Sequence, residues 1–295
     1  MAEALRSPAH PAPIVGLDRI VTLVDGLDHP EGVAYGPDGY LYAGGEAGQI
    51  YRISLAGQVE QIASTGGFIL GLALDAQQNV YACDSERRQV VHLSQAGQIR
   101  VLSAGTPQTP LRNPNFPAFD SQGHLYVTDS GDWLRDNGRI LCIDPDGRTT
   151  VASESAHRFP NGLALSASGR WLYVAESTWP GVSRLAVGVD GTLGAWEEVV
   201  TLPGTVPDGL AFDSAGNLYI SCYRPDRIYR LSPQGVLDIW ADDPAGTALA
   251  APTNLAFAGP ELNQLVVANL GRWHLAAIAV ETPGLPVSRP HVGGA

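Results

Sequence analysis

Cysteine is scarce in this 295-residue chain, which carries only Cys83, Cys142 and Cys222. Three thiols so far apart exclude a disulfide framework or a cysteine-built zinc cluster. Each sits in or beside an apolar run, where a thiol serves as a small buried side chain. Charge is also sparse, at 16% of residues, and acid dominates it to give a net charge of −12. That balance repels phosphates and argues against a nucleic-acid partner; its plain role is solubility, and its other use is a face that attracts cations. No run approaches membrane-span length, and the opening "MAEALRSPAHPAPIVG" lacks the apolar core of a signal peptide. A soluble, cytoplasmic protein without a membrane partner is therefore expected. There is no G-x-S-x-G elbow, no phosphate-binding glycine loop, no dinucleotide fingerprint and no sustained 3.6-residue stripe.

What the chain has in abundance is punctuated apolar sequence: 44% hydrophobic residues broken by 34 glycines and 22 prolines. One phrase recurs. "HPEGVAYGPDGYLYAGG" returns as "FPNGLALSASGRWLYVAES" and as "VPDGLAFDSAGNLYIS". Six segments of this kind begin at Glu31, Leu70, Asn115, Asn161, Asp208 and Thr253, spaced 39, 45, 46, 47 and 45 residues apart. In five of them a turn built like "DSAGN" or "GPDGY" leads into a run with tyrosine second: Tyr42, Tyr81, Tyr126, Tyr173 and Tyr219. The sixth has Val266 there. Each unit reads as four short strands, and four strands per roughly 40–50 residues is the requirement of a propeller blade. The fold class expected is all-β: a six-bladed β-propeller over 14–285, with a flexible N-terminal tail at 1–13 and a C-terminal tail at 286–295. The last unit supplies three strands, so "RIVTLVDG" (19–26) is the expected fourth, closing the ring and hiding an open edge.

In such a ring the first strand of each unit lines the channel, and the residue after the proline, or its equivalent, stands at its mouth. Those residues are Glu31, Leu70, Asn115, Asn161, Asp208 and Thr253. Two carboxylates and two carboxamides make an oxygen-only environment, the kind that hard divalent cations select. Ca²⁺ fits it first, with Mg²⁺, Mn²⁺ or Zn²⁺ as the others. Without a cation, two facing carboxylates would repel and one would hold its proton. The plainer reading is that Asn and Asp after proline complete a turn, although Glu31 is a poor turn-former.

The second strands end at a further ring of Gly45, Asp84, Asp129, Glu176, Cys222 and Asn269, and the loops beyond carry Trp133, Trp179, Tyr223, Arg272, Trp273 and His274. Asp129 is a substrate candidate, against bonding within "DSGD". Trp133 and Trp179 are either a substrate wall or blade packing. His29, His157 and His274 are candidate proton carriers or solvated loop residues.

The three quoted motifs resemble the family of senescence marker protein (regucalcin), gluconolactonase and luciferin-regenerating enzyme, over roughly residues 19–280. The resemblance implies a six-bladed propeller with one divalent cation held by Glu31, Asn161 and Asp208. Asn115 is implied at the metal or the substrate. The family's substrate-binding arginine position holds Asn113 here, with Arg112 beside it. The activity implied is hydrolysis of a lactone or ester on a small-molecule substrate, with Asp208 as ligand and candidate general base. Other expectations kept open are a phosphotriester hydrolase, a lyase or isomerase on the same scaffold, or a non-catalytic calcium-binding or interaction propeller.

Overall fold

The computed structural model describes residues 12–292. Six four-stranded antiparallel sheets stand around an axis. Their innermost strands are Val33–Tyr35, Ile69–Leu74, Pro114–Phe119, Pro160–Leu165, Val206–Phe212 and Pro252–Ala258. The protein is a six-bladed β-propeller. In the sixth blade the outer strand is Ile20–Val24, paired with His274–Ala279, so the two ends of the ring share one sheet.

Period-two alternation explains how the blades stack, since each sheet turns one side-chain set toward each neighbour. The core divides into one apolar cluster per joint. Tyr42 and Ile50 of the first blade meet Ile69, Leu72 and Val80 of the second; Leu41 and Ala43 meet Val266 and Ala268 across the last joint. The recurring tyrosines serve these joints and also reach a turn carboxylate of their own blade. Tyr42 donates to Asp38 at 2.9 Å, and Tyr81 to Asp75 at 3.1 Å. All three cysteines are buried and free.

Of the expected N-terminal tail, residues 1–11 lie outside the described residues. Ile14 and Val15 already bond the outer strand of the fifth blade, at Ile239 O and Trp240 O. The expected tail from residue 286 takes a definite course as far as residue 292: it runs on from Pro283 and Leu285, which bond Ser214 and Phe212. Arg289 donates to Tyr35 O, Pro290 accepts from Ala76 N, and Val292 packs between the second and third blades. This strap lies over the face that carries the inner hairpin turns. Beneath it is an axial cavity of about 300 Å³, flanked by Leu72, Phe116, Leu163, Leu210 and Leu255. No helix among the described residues is long and apolar enough to cross a membrane.

Candidate metal centre and active site

Five of the six inner strands break register at the same place. Pro160 pairs with Glu176 and Leu163 with Val174, so Asn161 and Gly162 together oppose the single residue Ala175. The same two-against-one bulge holds Leu70–Gly71, Asn115–Phe116, Asp208–Gly209 and Thr253–Asn254. Glu31 and Gly32 precede the short first inner strand at the equivalent point. A bulge bends its strand and re-aims side chains, which is why these residues leave the blade-to-blade alternation.

In four of the blades glycine follows the ring residue because the neighbouring backbone passes too close for a side chain. A Cβ on Gly71 would lie 2.7 Å from Asn115 O, and one on Gly209 2.7 Å from Thr253 O. Gly32 and Gly162 abut Leu70 O and Asp208 O in the same way. This layer narrows the channel just below the ring and places the axial cavity beyond it.

Hydroxyls on the second strands, or directly after them, supply the bulges and stitch the blades together. Thr128 accepts from Phe116 N at 2.9 Å and donates to Asn161 O at 2.9 Å. Ser177 donates to Pro207 O at 2.7 Å, and Ser130 to Pro160 O at 2.7 Å. Ser221 bonds Gly209 N and Thr253 O. Ser177 also lies 3.4 Å from Asn161 Nδ2, which leaves the Asn161 oxygen free.

The ring itself is almost sealed. Glu31, Asn115, Asn161 and Asp208 are 7%, 2%, 4% and 4% exposed. Each has one buried oxygen without a hydrogen-bond partner: Glu31 Oε2, Asn115 Oδ1, Asn161 Oδ1 and Asp208 Oδ1. Buried acceptors are rarely left unpaired, because each then forfeits its hydration. Four of them, from the first, third, fourth and fifth blades, fit the coordination shell of a hard cation. The electrostatics agree. Burial raises the Asp208 carboxyl to about 7, with the Asn161 amide pulling the other way. Burial, then the charge of Asp208, holds Glu31 well above the usual carboxylate range. The other two ring positions contribute no oxygen: Leu70 is apolar, and Thr253 turns its hydroxyl to Glu31 O and Ala268 O.

The second ring is a set of clamps. Asp129 accepts from Arg112 N at 3.0 Å and Asn113 N at 2.7 Å, while its other oxygen meets Arg139 at 2.8 Å. Asp84 accepts from Phe68 N, Glu176 from Arg158 N, and Asn269 from Ala250 N. Each therefore holds the loop that leads into a ring residue. Asp129 has neither oxygen free for a substrate, and its partners lie outside "DSGD".

The aromatic candidates separate. Trp133 is 51% exposed and stands edge-on to Phe159 at 4.8 Å, two residues before Asn161. Trp179 packs on Trp196 at 5.2 Å, with the Arg158 guanidinium 5.9 Å from its ring. His274 is buried at the start of the third strand of its blade, bonded to Ala248 O at 3.0 Å, and burial lowers its pKa. Two interstrand spacings of about 4.8 Å separate it from the channel. Arg112 is exposed and Asn113 half-buried at the loop before Asn115. His29 stacks on Trp273 at 4.3 Å and bonds Glu46 at 2.6 Å and Asp28 at 3.1 Å. That cluster of Asp28, His29 and Glu46 satisfies itself at the surface, whereas the ring does not. His29, Phe159 and Ala251 adopt left-handed backbone with φ of 43°, 58° and 49°. Each stands two residues before Glu31, Asn161 or Thr253, where such strain is common beside functional groups.

The model of the SMP-30/Gluconolactonase/LRE-like region matches residues 19–270. The chain belongs to that family. Among curated relatives it is 31% identical over 122 residues to lactonase drp35 of Staphylococcus epidermidis, 40% of this chain and 38% of that one. It is 32% identical over 137 residues to the 6-deoxy-6-sulfogluconolactonase of Pseudomonas putida, 45% of each. The matched stretches thus span less than half the length of these relatives. Solved structures agree in fold across nearly the whole chain. A gluconolactonase of Xanthomonas campestris superposes with a TM-score of 0.76 at 22% identity, covering 90% of this chain and 89% of that one. A calcium-binding regucalcin of Agrobacterium tumefaciens does so at 0.72 and 17% identity, covering 97% and 100%. At such identities the likeness is one of fold.

Missed by sequence reasoning were the bulges, the hydroxyl stitches, the clamps and Asn254. The glycine after four of the six ring residues was the available signal, since glycine inside a strand marks a bulge or a close backbone approach.

Proposed function

We propose that this chain is a divalent-cation-dependent hydrolase of lactones or esters, acting on a small molecule at the ring of Glu31, Asn115, Asn161 and Asp208. The observation that carries the reading is the set of four buried oxygens there without partners. Family membership and the lactonase names of relatives support the reaction class. Ca²⁺ is the favoured cation because every donor is an oxygen; the calcium-binding regucalcin of the same fold supports that choice.

A divalent cation bound in the ring supplies Lewis-acid polarisation of the ester carbonyl and charge that offsets the two carboxylates. Glu31, Asn115 and Asn161 hold their oxygens in place from three separate blades. Asp208 takes the proton from the attacking water as the carbonyl carbon is attacked, and returns it to the leaving oxygen as the ring opens. The strap from Pro283 lies across the opposite face, so substrate enters and leaves on the ring side. Trp133, Leu134 and Trp273, exposed by 51%, 73% and 46%, offer apolar surface at that face. Together with Asn113 at the arginine position, they favour a lactone with an apolar substituent over a polyhydroxylated sugar acid.

The test is acid release across a lactone panel, on chelator-stripped protein with Ca²⁺, Mg²⁺, Mn²⁺ or Zn²⁺ restored one at a time. Cation-dependent turnover lost in Asp208→Ala supports the reading. Cation binding without turnover on any lactone or ester overturns the hydrolase and leaves a binding propeller.

A further inference from the structure

The layer directly below the ring holds Gly32, Gly71, Phe116, Gly162, Gly209 and Asn254. Two of the six therefore carry a real side chain. Phe116 is apolar and flanks the axial cavity. Asn254 is different. It is 1% exposed, and both Nδ2 and Oδ1 lack any hydrogen-bond partner. Among the described residues it is the one side chain with two such orphaned atoms.

Its place in the fold is specific. Asn254 lies in the bulge of the sixth blade, opposite Ala268. Where the third and fifth blades have Thr128 and Ser221 at that opposing position, Ala268 offers no hydroxyl. The Asn254 backbone N–H instead donates to Glu31 O at 3.2 Å. On its other side, the Asn254 Cα lies 2.7 Å from the Cβ position of Gly209, the residue after Asp208. Its backbone therefore stands between the two carboxylate-bearing strands. A sealed carboxamide forfeits the hydration of one acceptor and two donors unless something not built from the chain engages them.

We propose that Asn254 is a fifth polar member of the cation site, contributing Oδ1 to the oxygen shell and donating from Nδ2 to the water or substrate oxygen held beside it. This rests on the reading of the ring as a divalent-cation site. Four ring oxygens leave two to four positions in a shell of six to eight, the usual range for calcium. Asn254 accounts for one of them from the blade where Thr253 contributes none.

The experiment compares wild type, Asp208→Ala, Asn254→Leu and Asn254→Asp by calcium calorimetry, and by thermal unfolding with chelator and with calcium. Leucine has the same branched side-chain skeleton, is somewhat bulkier, and has no polar atoms. The expected result for Asn254→Leu is an unchanged or higher Tm in chelator, an affinity for calcium lower by about tenfold or more, and a smaller rise in Tm on adding calcium. Asn254→Asp keeps an oxygen and regains the affinity. A lowered Tm in chelator with unchanged calcium affinity would show an amide that only holds the blade joint, and would overturn the proposal. If Asp208→Ala loses calcium while Asn254→Leu keeps it, the ring reading stands and this one falls. If wild type binds no divalent cation, the ring reading fails and takes this inference with it. Should Asn254→Leu not fold, Asn254→Ala carries the same comparison.

Discussion

The hydroxyl of Thr253 donates to the backbone carbonyl of Glu31 at 2.7 Å, joining two residues 222 positions apart in the chain. The bond spans the joint between the last blade and the first, and so ties ring closure to the position of a candidate metal ligand. Thr253→Val keeps the shape and removes the donor. Because Glu31 O still accepts from Asn254 N, the expected loss is that of one net hydrogen bond, about 1 kcal/mol. Urea unfolding measures it, and a several-fold weaker cation affinity should accompany it.

The buried carboxyls give the cation-free protein an unusual pH dependence. Asp208 and Glu31 have folded-state pKa values raised above their unfolded values. Their contribution is fully present below about pH 4 and is lost as pH rises through the folded values, near 7 for Asp208. A carboxyl lifted from 3.8 to about 7 corresponds to about 4 kcal/mol. Chelator-stripped protein should therefore be more stable at pH 5 than at pH 8. Saturating cation should abolish or reverse that slope, because it favours the ionised forms. Parallel slopes with and without cation would contradict the ring assignment.

Gly162→Ala tests the narrow layer. The added methyl meets Asp208 O and Gly209 Cα, and separating those backbones is expected to cost about 1–3 kcal/mol. Cation affinity should fall in the same variant, since the displaced residue is Asp208 itself.

Asp129→Asn separates a clamp from a substrate contact. Asp129 is fully buried and paired with Arg139 at 2.8 Å. Breaking a buried pair by neutralising one partner is expected to destabilise by about 3–5 kcal/mol, seen as a large drop in Tm. An unchanged Tm with a raised KM would instead restore Asp129 to the substrate.

The repeat was legible because the same physical demands recur around the ring: period-two strands for the joints and, in every blade but the second, a glycine in the inner hairpin turn and a proline at the channel mouth. Glu31, Asn115, Asn161 and Asp208 stood out because a ring position that changes identity is free of the packing that fixes its neighbours. The clamps were not legible. Asp129 and Glu176 look like channel-mouth acids in sequence, and only the backbone N–H groups they accept from show what they do. Asn254 sits where four of the other five blades have glycine, but a carboxamide beside Thr253 reads as turn chemistry until the bulge is seen. The strap from Pro283 onward carries proline and glycine with no strand period, and its contacts with the turns of five blades leave no pattern in the chain.

The most direct measurement is a crystal structure of the protein soaked in Ca²⁺, read in anomalous difference density. The account predicts one strong peak on the axis, with Glu31, Asn115, Asn161 and Asp208 oxygens at about 2.3–2.6 Å. An empty ring, or a peak only among Asp28, His29 and Glu46 at the surface, would contradict it.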